Sequence, residues 1–446
     1  SVASRGLGDV YKRQALVCVF LFGGNDNAST VIPYDTTSYG KYVGIRGPST
    51  GSTFVVPRAD LAASLLKPST ALADGRQYAL HPNMAKLAAL FNQGKAAVQL
   101  NVGPLVMPIT RAQFSSGNNV LYPLPPKLFS HNDQQSVWQS SAAEGATVGW
   151  GGLIGDLALS SNGTGSVFTC TSVTGNTVFL AGRSAGQYQC STAGPIAIGA
   201  SKNGFFGNAS RQIFNDLIQK SSADILEDEY AKVVRRSIDS EKVMSSALGA
   251  VSVTTAFPET NLGRQLAMVA RQIAARNSLG LKRQVFMVSM GGFDLHDELP
   301  AKQPGLLREV SDAIAAFYDA TVELGVAGNV TTFTASDFGR ALTPNGDGAD
   351  HGWGSHHFVV GGSVRGGAFY GTPPPVSVGD TASPDDQWHV GQGRLLPTTS
   401  VDQFAATMAQ WLGVADAELD GLLPNLKNFG AGAALPGYPR NLGFLP

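Results

Sequence analysis

Ala15-Leu16-Val17-Cys18-Val19-Phe20-Leu21-Phe22-Gly23-Gly24-Asn25-Asp26 is the stretch that decides the fold. An apolar run that halts at Gly-Gly is the pattern of a short strand buried on both faces of a parallel sheet. The strand delivers Asp26 just past its carboxyl end, the edge at which open α/β sheets place their ligand sites.

The same pattern recurs downstream. Residues 284–290 read as a second buried strand that ends at Gly291-Gly292-Phe293-Asp294, and residues 329–335 as a third that ends at Ser336-Asp337-Phe338-Gly339. Residues 96–102 and 356–362 are strand-like as well. Apolar residues at helical spacing predict helices over 82–93, from 208 to about 251, and over 260–277, 305–324 and 401–412. Strands alternating with helices predict an α/β fold: a mostly parallel central sheet with helices on both faces. No internal repeat interrupts the chain, so residues 15–446 read as one domain. A Gly/Ser/Thr-rich stretch at about 158–205 is a candidate small β-rich insertion. Residues 1–14, SVASRGLGDVYKRQ, lack apolar periodicity, resemble a translated adapter sequence, and are set aside as a non-native leader.

Composition narrows the function. With 32 Lys plus Arg against 33 Asp plus Glu, no global field favours a nucleic acid or an anionic bilayer. The run beginning at Ala15 is far shorter than the ~18 apolar residues of a membrane span, so no nucleic-acid partner and no membrane span are expected. Cys18, Cys170 and Cys190 have no C-x-x-C spacing, which excludes a thiolate metal cage. Cys170 and Cys190 could bridge if the protein is exported, or remain two thiols. G-x-G-x-x-G and a Walker lysine are both absent, which argues against nicotinamide and nucleotide triphosphate chemistry.

Asp26, Asp294 and Asp337 each follow a buried strand and should converge, and carboxylates that converge repel unless a cation lies among them. Arg340 and Arg365 could each offset one charge, but a divalent metal is the economical solution. Five of the seven histidines, His131, His296, His351, His356 and His357, fall inside the same motifs. Asp294-Leu295-His296 puts two ligand types on one side of extended backbone. The segment Asp350 to His357 adds three imidazoles on a Gly-rich turn, at least one of them a candidate ligand. His81 and His389 read as structural. Ser130, with Asp133 three residues on, reads as a helix N-cap, and His131 beside it as structural.

Taken together these motifs resemble the DUF1501 proteins, a bacterial family of unknown function often exported with a twin-arginine signal. That family is placed in the alkaline phosphatase-like superfamily beside sulfatases and phosphomutases. The resemblance runs from Ala15 to the C-terminus through Leu80-His81-Pro82, Ser130-His131, Gly149-Trp150, Gly291 to His296, Ser336 to Arg340, Asp350 to Gly354 and Leu396-Pro397-Thr398-Thr399. It implies metal ligands at Asp26, Asp294, His296 and Asp337 and among His351, His356 and His357. Phe338 stands where the superfamily has a histidine. The cofactor implied is a divalent metal, zinc first, with Mg, Mn or Ca as alternatives. The function implied is hydrolysis of a small anionic phosphate or sulfate ester, with Ser130 as nucleophile and Arg340 or an ion steadying the leaving oxygen. The alternative is a non-catalytic exported binding or assembly protein that keeps a structural metal and has a cell-envelope partner. A periplasmic location follows from the resemblance alone.

Overall fold

The computed structural model describes residues 13–47, 54–202, 207–220 and 222–446. Residues 1–12 of the expected leader and 203–205 of the candidate insertion lie outside the described residues. In chain order the first strands are β1 (Ala15–Leu21), β2 (Val31–Pro33), β3 (Tyr78–Leu80), β4 (Ala96–Gly103), β5 (Cys170–Ser172), β6 (Gln187–Ser191) and β7 (Gly194–Pro195). They are followed by β8 (Gln284–Met290), β9 (Val330–Ser336), β10 (Arg340–Pro344), β11 (Ala349–His351), β12 (Ser355–Gly361), β13 (Ala368–Tyr370) and β14 (Thr399–Ser400).

A 10-stranded sheet runs β13-β4-β12-β9-β1-β8-β5-β6-β7, with β14 also on β4. β1 lies inside it, parallel to β8 and β9, and Leu21 is level with Met290 and Ser336. Three strands therefore end together, and the loops after them share one rim. Alternate residues of β1 enter two apolar layers. Val17 and Val19 pack with Leu266, Val269 and Ile314 from the helices Asn261–Ala274 and Leu299–Glu323, whereas Leu16, Cys18 and Phe20 pack with Trp150, Phe404 and Met408 from Trp150–Asn162 and Val401–Leu412. Helices thus cover both faces, and the α/β class holds. The two layers draw on residues from Ala15 to Leu445, and a reading of 15–446 as one domain rests on that mixing.

Two details depart from the sequence reading. β12 runs antiparallel to both β4 and β9. A parallel return needs a long crossover, normally helical, but the chain between β9 and β12 holds only the β10–β11 hairpin, so it must come back the other way. The helix predicted over 305–324 starts earlier, at Leu299, and runs through Pro304. Pro300 in its first turn suits a helix start, and the Leu299 N–H is taken by the Asp347 carbonyl. The strands from the candidate insertion extend the main sheet beyond β8. Cys18, Cys170 and Cys190 are free and buried. No helix among the described residues is long and apolar enough to cross a membrane.

Candidate metal centre

The rim where β1, β8 and β9 end is held tight by glycine. Gly23 and Gly24 have φ of +116° and +84°, in the region that favours glycine. A Cβ on Gly23 would strike the backbone nitrogen of Asp294, and one on Gly24 the ring of Phe338. The Gly-Gly pair therefore lets the three strand ends approach one another.

Four side chains meet there. Asp294 Oδ1 lies 3.4 Å from His131 Nε2, 3.2 Å from His296 Nε2 and 3.6 Å from His351 Nε2. His296 Nε2 and His351 Nε2 are 2.9 Å apart. Leu295, between Asp294 and His296, is buried, so the two ligand types share one side of the chain. His351 comes from the β10–β11 hairpin, directly opposite Arg340. His131 is the first residue of the helix His131–Ser140.

Two of the three imidazoles are oriented by their far nitrogens. His131 Nδ1 donates to Asp337 Oδ2 at 2.7 Å, and Asp337, fully buried, also accepts from Gln135 Nε2 and from the Gly23 N–H. His351 Nδ1 donates to the Phe129 carbonyl at 2.8 Å. Both rings then present Nε2 lone pairs to the cluster, the arrangement of a metal-ligating histidine fixed by a second partner. His131 Nε2 is buried and has no hydrogen-bond partner. Phe338 packs against both rings, at 4.9 Å from His131 and 4.5 Å from His351, and so braces them.

Electrostatics follow from these contacts. The hydrogen bond to Asp337 raises the pKa of His131 against the opposing effect of burial. Burial lowers that of His351, and neighbouring Arg340, His131 and His296 act in the same sense. At Asp294 burial pushes upward, but the hydrogen bond and charge of Arg340, with His131 and His296, hold its carboxyl below the usual range.

Other expected site residues lie elsewhere. Asp26 faces away from the cluster: Arg46, completely buried, holds both its oxygens, at 2.5 and 2.9 Å. His356 is buried in β12 and its Nδ1 accepts the Asn101 N–H, while His357 sits beneath Thr334 and against Trp138. Burial lowers their pKa values to about 4 and about 3, so both are neutral core residues. Ser130 occupies the N-cap position, but its hydroxyl donates to Asp133 Oδ2 at 3.0 Å, away from the cluster. Arg340 is 1% exposed and its donors are taken: Nε by the Gly24 carbonyl, Nη2 by the carbonyls of Gly23 and Phe293 and by Asp294 Oδ1, and Nη1 by the Ala349 carbonyl and, at 3.4 Å, by His296 Nε2. It positions Asp294 and has no donor left for a leaving group. His131 is the residue that sequence reasoning missed, although Ser130-His131 stood among the motifs.

His131, Asp294 and His351 offer ligand atoms within 4.8 Å of one another and could hold a metal ion. The donor set fits one ion: the orphaned His131 nitrogen faces an ionised carboxylate. It does not fit a second ion, because Asp26 is already neutralised by a guanidinium.

Residues 207–419, just under half of the chain, match the family model "Protein of unknown function (DUF1501)". No curated protein matches the chain. Among solved structures, PsFucS1 sulfatase from Pseudoalteromonas sp. is 10% identical, covering 94% of this chain and 74% of its own, with a TM-score of 0.38. Ps i-CgsB in complex with k-i-k-neocarrahexaose is 11% identical over 92% and 74%, at 0.35. The lipoteichoic acid synthase LtaP from Listeria monocytogenes is 9% identical over 92% and 78%, at 0.34.

Proposed function

We propose that the protein binds a single divalent transition-metal ion on His131, Asp294, His296 and His351 and uses it to hydrolyse a small anionic ester. The observation that carries this reading is the buried, unpartnered Nε2 of His131, aimed at Asp294 by the Asp337 carboxylate behind it. Three imidazoles and one carboxylate favour zinc over Mg, Mn or Ca, which prefer oxygen ligands. When bound, such an ion polarises an ester oxygen and makes water a competent nucleophile near neutral pH.

The chain's own residues do the rest. Asp337 and the Phe129 carbonyl keep protons on the Nδ1 atoms of His131 and His351, leaving both Nε2 atoms free to bind. Arg340 fixes Asp294 in place. Asp294 and His296 are half exposed, so the centre is open on that side to an incoming substrate. Asp294, Asp337 and Asp350, the last 3.6 Å from His296 Nδ1, balance Arg340 and a dication, so an ester oxygen would be held by the ion itself rather than by a net positive field. Water rather than Ser130 is the nucleophile in this reading, since the Ser130 hydroxyl is engaged by Asp133.

Turnover of p-nitrophenyl phosphate and p-nitrophenyl sulfate by zinc-loaded protein tests the proposal. Activity should appear on at least one ester and vanish on chelation and in Asp294→Asn; activity indifferent to both would reject it. One observation favours a second reading, a non-catalytic exported protein with a structural metal: Arg340, saturated by its own chain, leaves no guanidinium for the leaving oxygen. Metal retained without turnover of either ester would support that alternative. Export to the cell envelope belongs to both readings and is tested by fractionating cells that make the full-length native protein.

A further inference from the structure

The helix Ile225–Gly249 carries an apolar row that no described residue covers, and we propose that two copies of this chain pair through it about a two-fold axis. Leu226, Tyr230 and Val233 are each more than half exposed and recur at spacings of four and three, the seam of a coiled coil. Ser237 and Ser240 continue the line with small side chains, and at Met244 the helix enters an apolar layer of the sheet. Ahead of that point it packs in a small separate cluster, Val234 and Ile238 against Ile218 and Phe214 of the helix Asn208–Gln219.

That neighbouring helix widens the same face. The two run antiparallel, and Arg235 donates to the Ile218 carbonyl near the end of the first, so the first turns of the second project past it. Ile213 and Leu217, also more than half exposed, stand one residue before the packed Phe214 and Ile218. Tyr230 and Val233 stand one residue before the buried Ala231 and Val234. Antiparallel helices are related by a two-fold axis normal to their common plane, so equal offsets from the packed row face the same side. Five large apolar side chains thus share one exposed face, and a contiguous patch of that kind marks an interaction surface where scattered residues would not.

Charge selects the occupant. Along the edge of the row away from the first helix lie Glu229 and Arg236, both exposed and two turns apart. A second copy laid antiparallel sets Tyr230 against Val233 and Glu229 against Arg236, each contact made twice by symmetry. A parallel copy would set Glu229 against Glu229 and Arg236 against Arg236. Glu229 also holds Lys232 at 2.7 Å, but an exposed pair three residues apart is weak and leaves the carboxylate able to take a second cation. Asp224, Glu227 and Asp228 crowd the same end of the helix, which disfavours an anionic bilayer as the cover. The face shares no residue with the metal centre, so the inference stands independently of the proposed hydrolysis.

Sedimentation velocity of the full chain tests it. At about 50 µM the unaltered protein should run mostly as a dimer, with a Kd below about 10 µM, and Tyr230→Glu, at an exposed position, should run as a monomer. Glu229→Arg and Arg236→Glu should each weaken pairing about tenfold or more, because each turns two opposite-charge contacts into like-charge ones. The double variant Glu229→Arg/Arg236→Glu should restore the dimer, a recovery that parallel pairing would not give and that loss of folding cannot mimic. An unaltered protein that is monomeric at that concentration overturns the proposal, as does a dimer that survives Tyr230→Glu or both single charge reversals. A double variant that pairs no better than the single ones also overturns it.

Discussion

Asp337 Oδ2 lies 2.7 Å from His131 Nδ1, and this contact turns the other side of the imidazole toward Asp294 and His351. Asp337 is itself held by Gln135 and by the Gly23 N–H, so the ring's orientation is set by the end of β9, the turn after β1 and one helix together. Asp337→Asn should preserve the shape of the site yet weaken zinc binding about 10–100-fold, the usual cost of losing a ligand's supporting partner. Competition with a chromophoric chelator measures this. An unchanged affinity would mean that Asp337 does not orient the ligand.

The ion pair between Arg46 and Asp26 makes a separate demand. Both side chains are fully buried, so Arg46→Met strands a carboxylate in the core. The expected loss is about 3–5 kcal/mol in urea unfolding, with metal content unchanged. A rise in bound metal in this variant would show instead that Asp26 is a latent ligand released by removing its guanidinium.

Asp402 gives the fold a pH signature. Burial raises its pKa to about 7, against hydrogen bonds from Ser141 and the Asn425 N–H that pull the other way. The folded form keeps a proton that the unfolded chain releases near 3.8, so the stabilisation is complete below that pH and is lost as pH rises toward about 7. The slope is at most about 1.4 kcal/mol per pH unit. Asp402→Asn can keep both hydrogen bonds without titrating, so its stability relative to the unaltered protein should improve steadily from about pH 4 to about pH 7. Parallel stability curves for the two proteins would contradict this assignment.

Ser130→Ala removes a hydroxyl that donates to Asp133 and caps no backbone N–H. The expected cost is about 1 kcal/mol, with metal content and any ester hydrolysis retained. Complete loss of hydrolysis with metal retained would restore Ser130 as the nucleophile.

Much of the framework could be read in the sequence, because local pattern carried it. The unbroken apolar run of β1 announces burial on both faces, and Gly-Gly announces a rim where chains approach closely. Asp294-Leu295-His296 could be read because its alternation is local. What escaped depends on contacts between distant residues. Arg46, which neutralises Asp26, lies in a helix with no visible link to β1. His131 becomes part of the cluster through Asp337 and through a turn in which Lys127 and Phe129 adopt φ of 40° and 74°, conformations that their residue types do not announce. His356 and His357 looked like ligands on a Gly-rich turn, but the antiparallel return of β12 carries them into the sheet.

Elemental analysis of the purified full chain after exposure to zinc, alongside His131→Ala, tests the central claim most directly. The account predicts about one zinc ion per chain in the unaltered protein and loss of most of it in His131→Ala, with the fold retained by circular dichroism. A protein that takes up no zinc, or a His131→Ala variant that keeps the full complement, would contradict it.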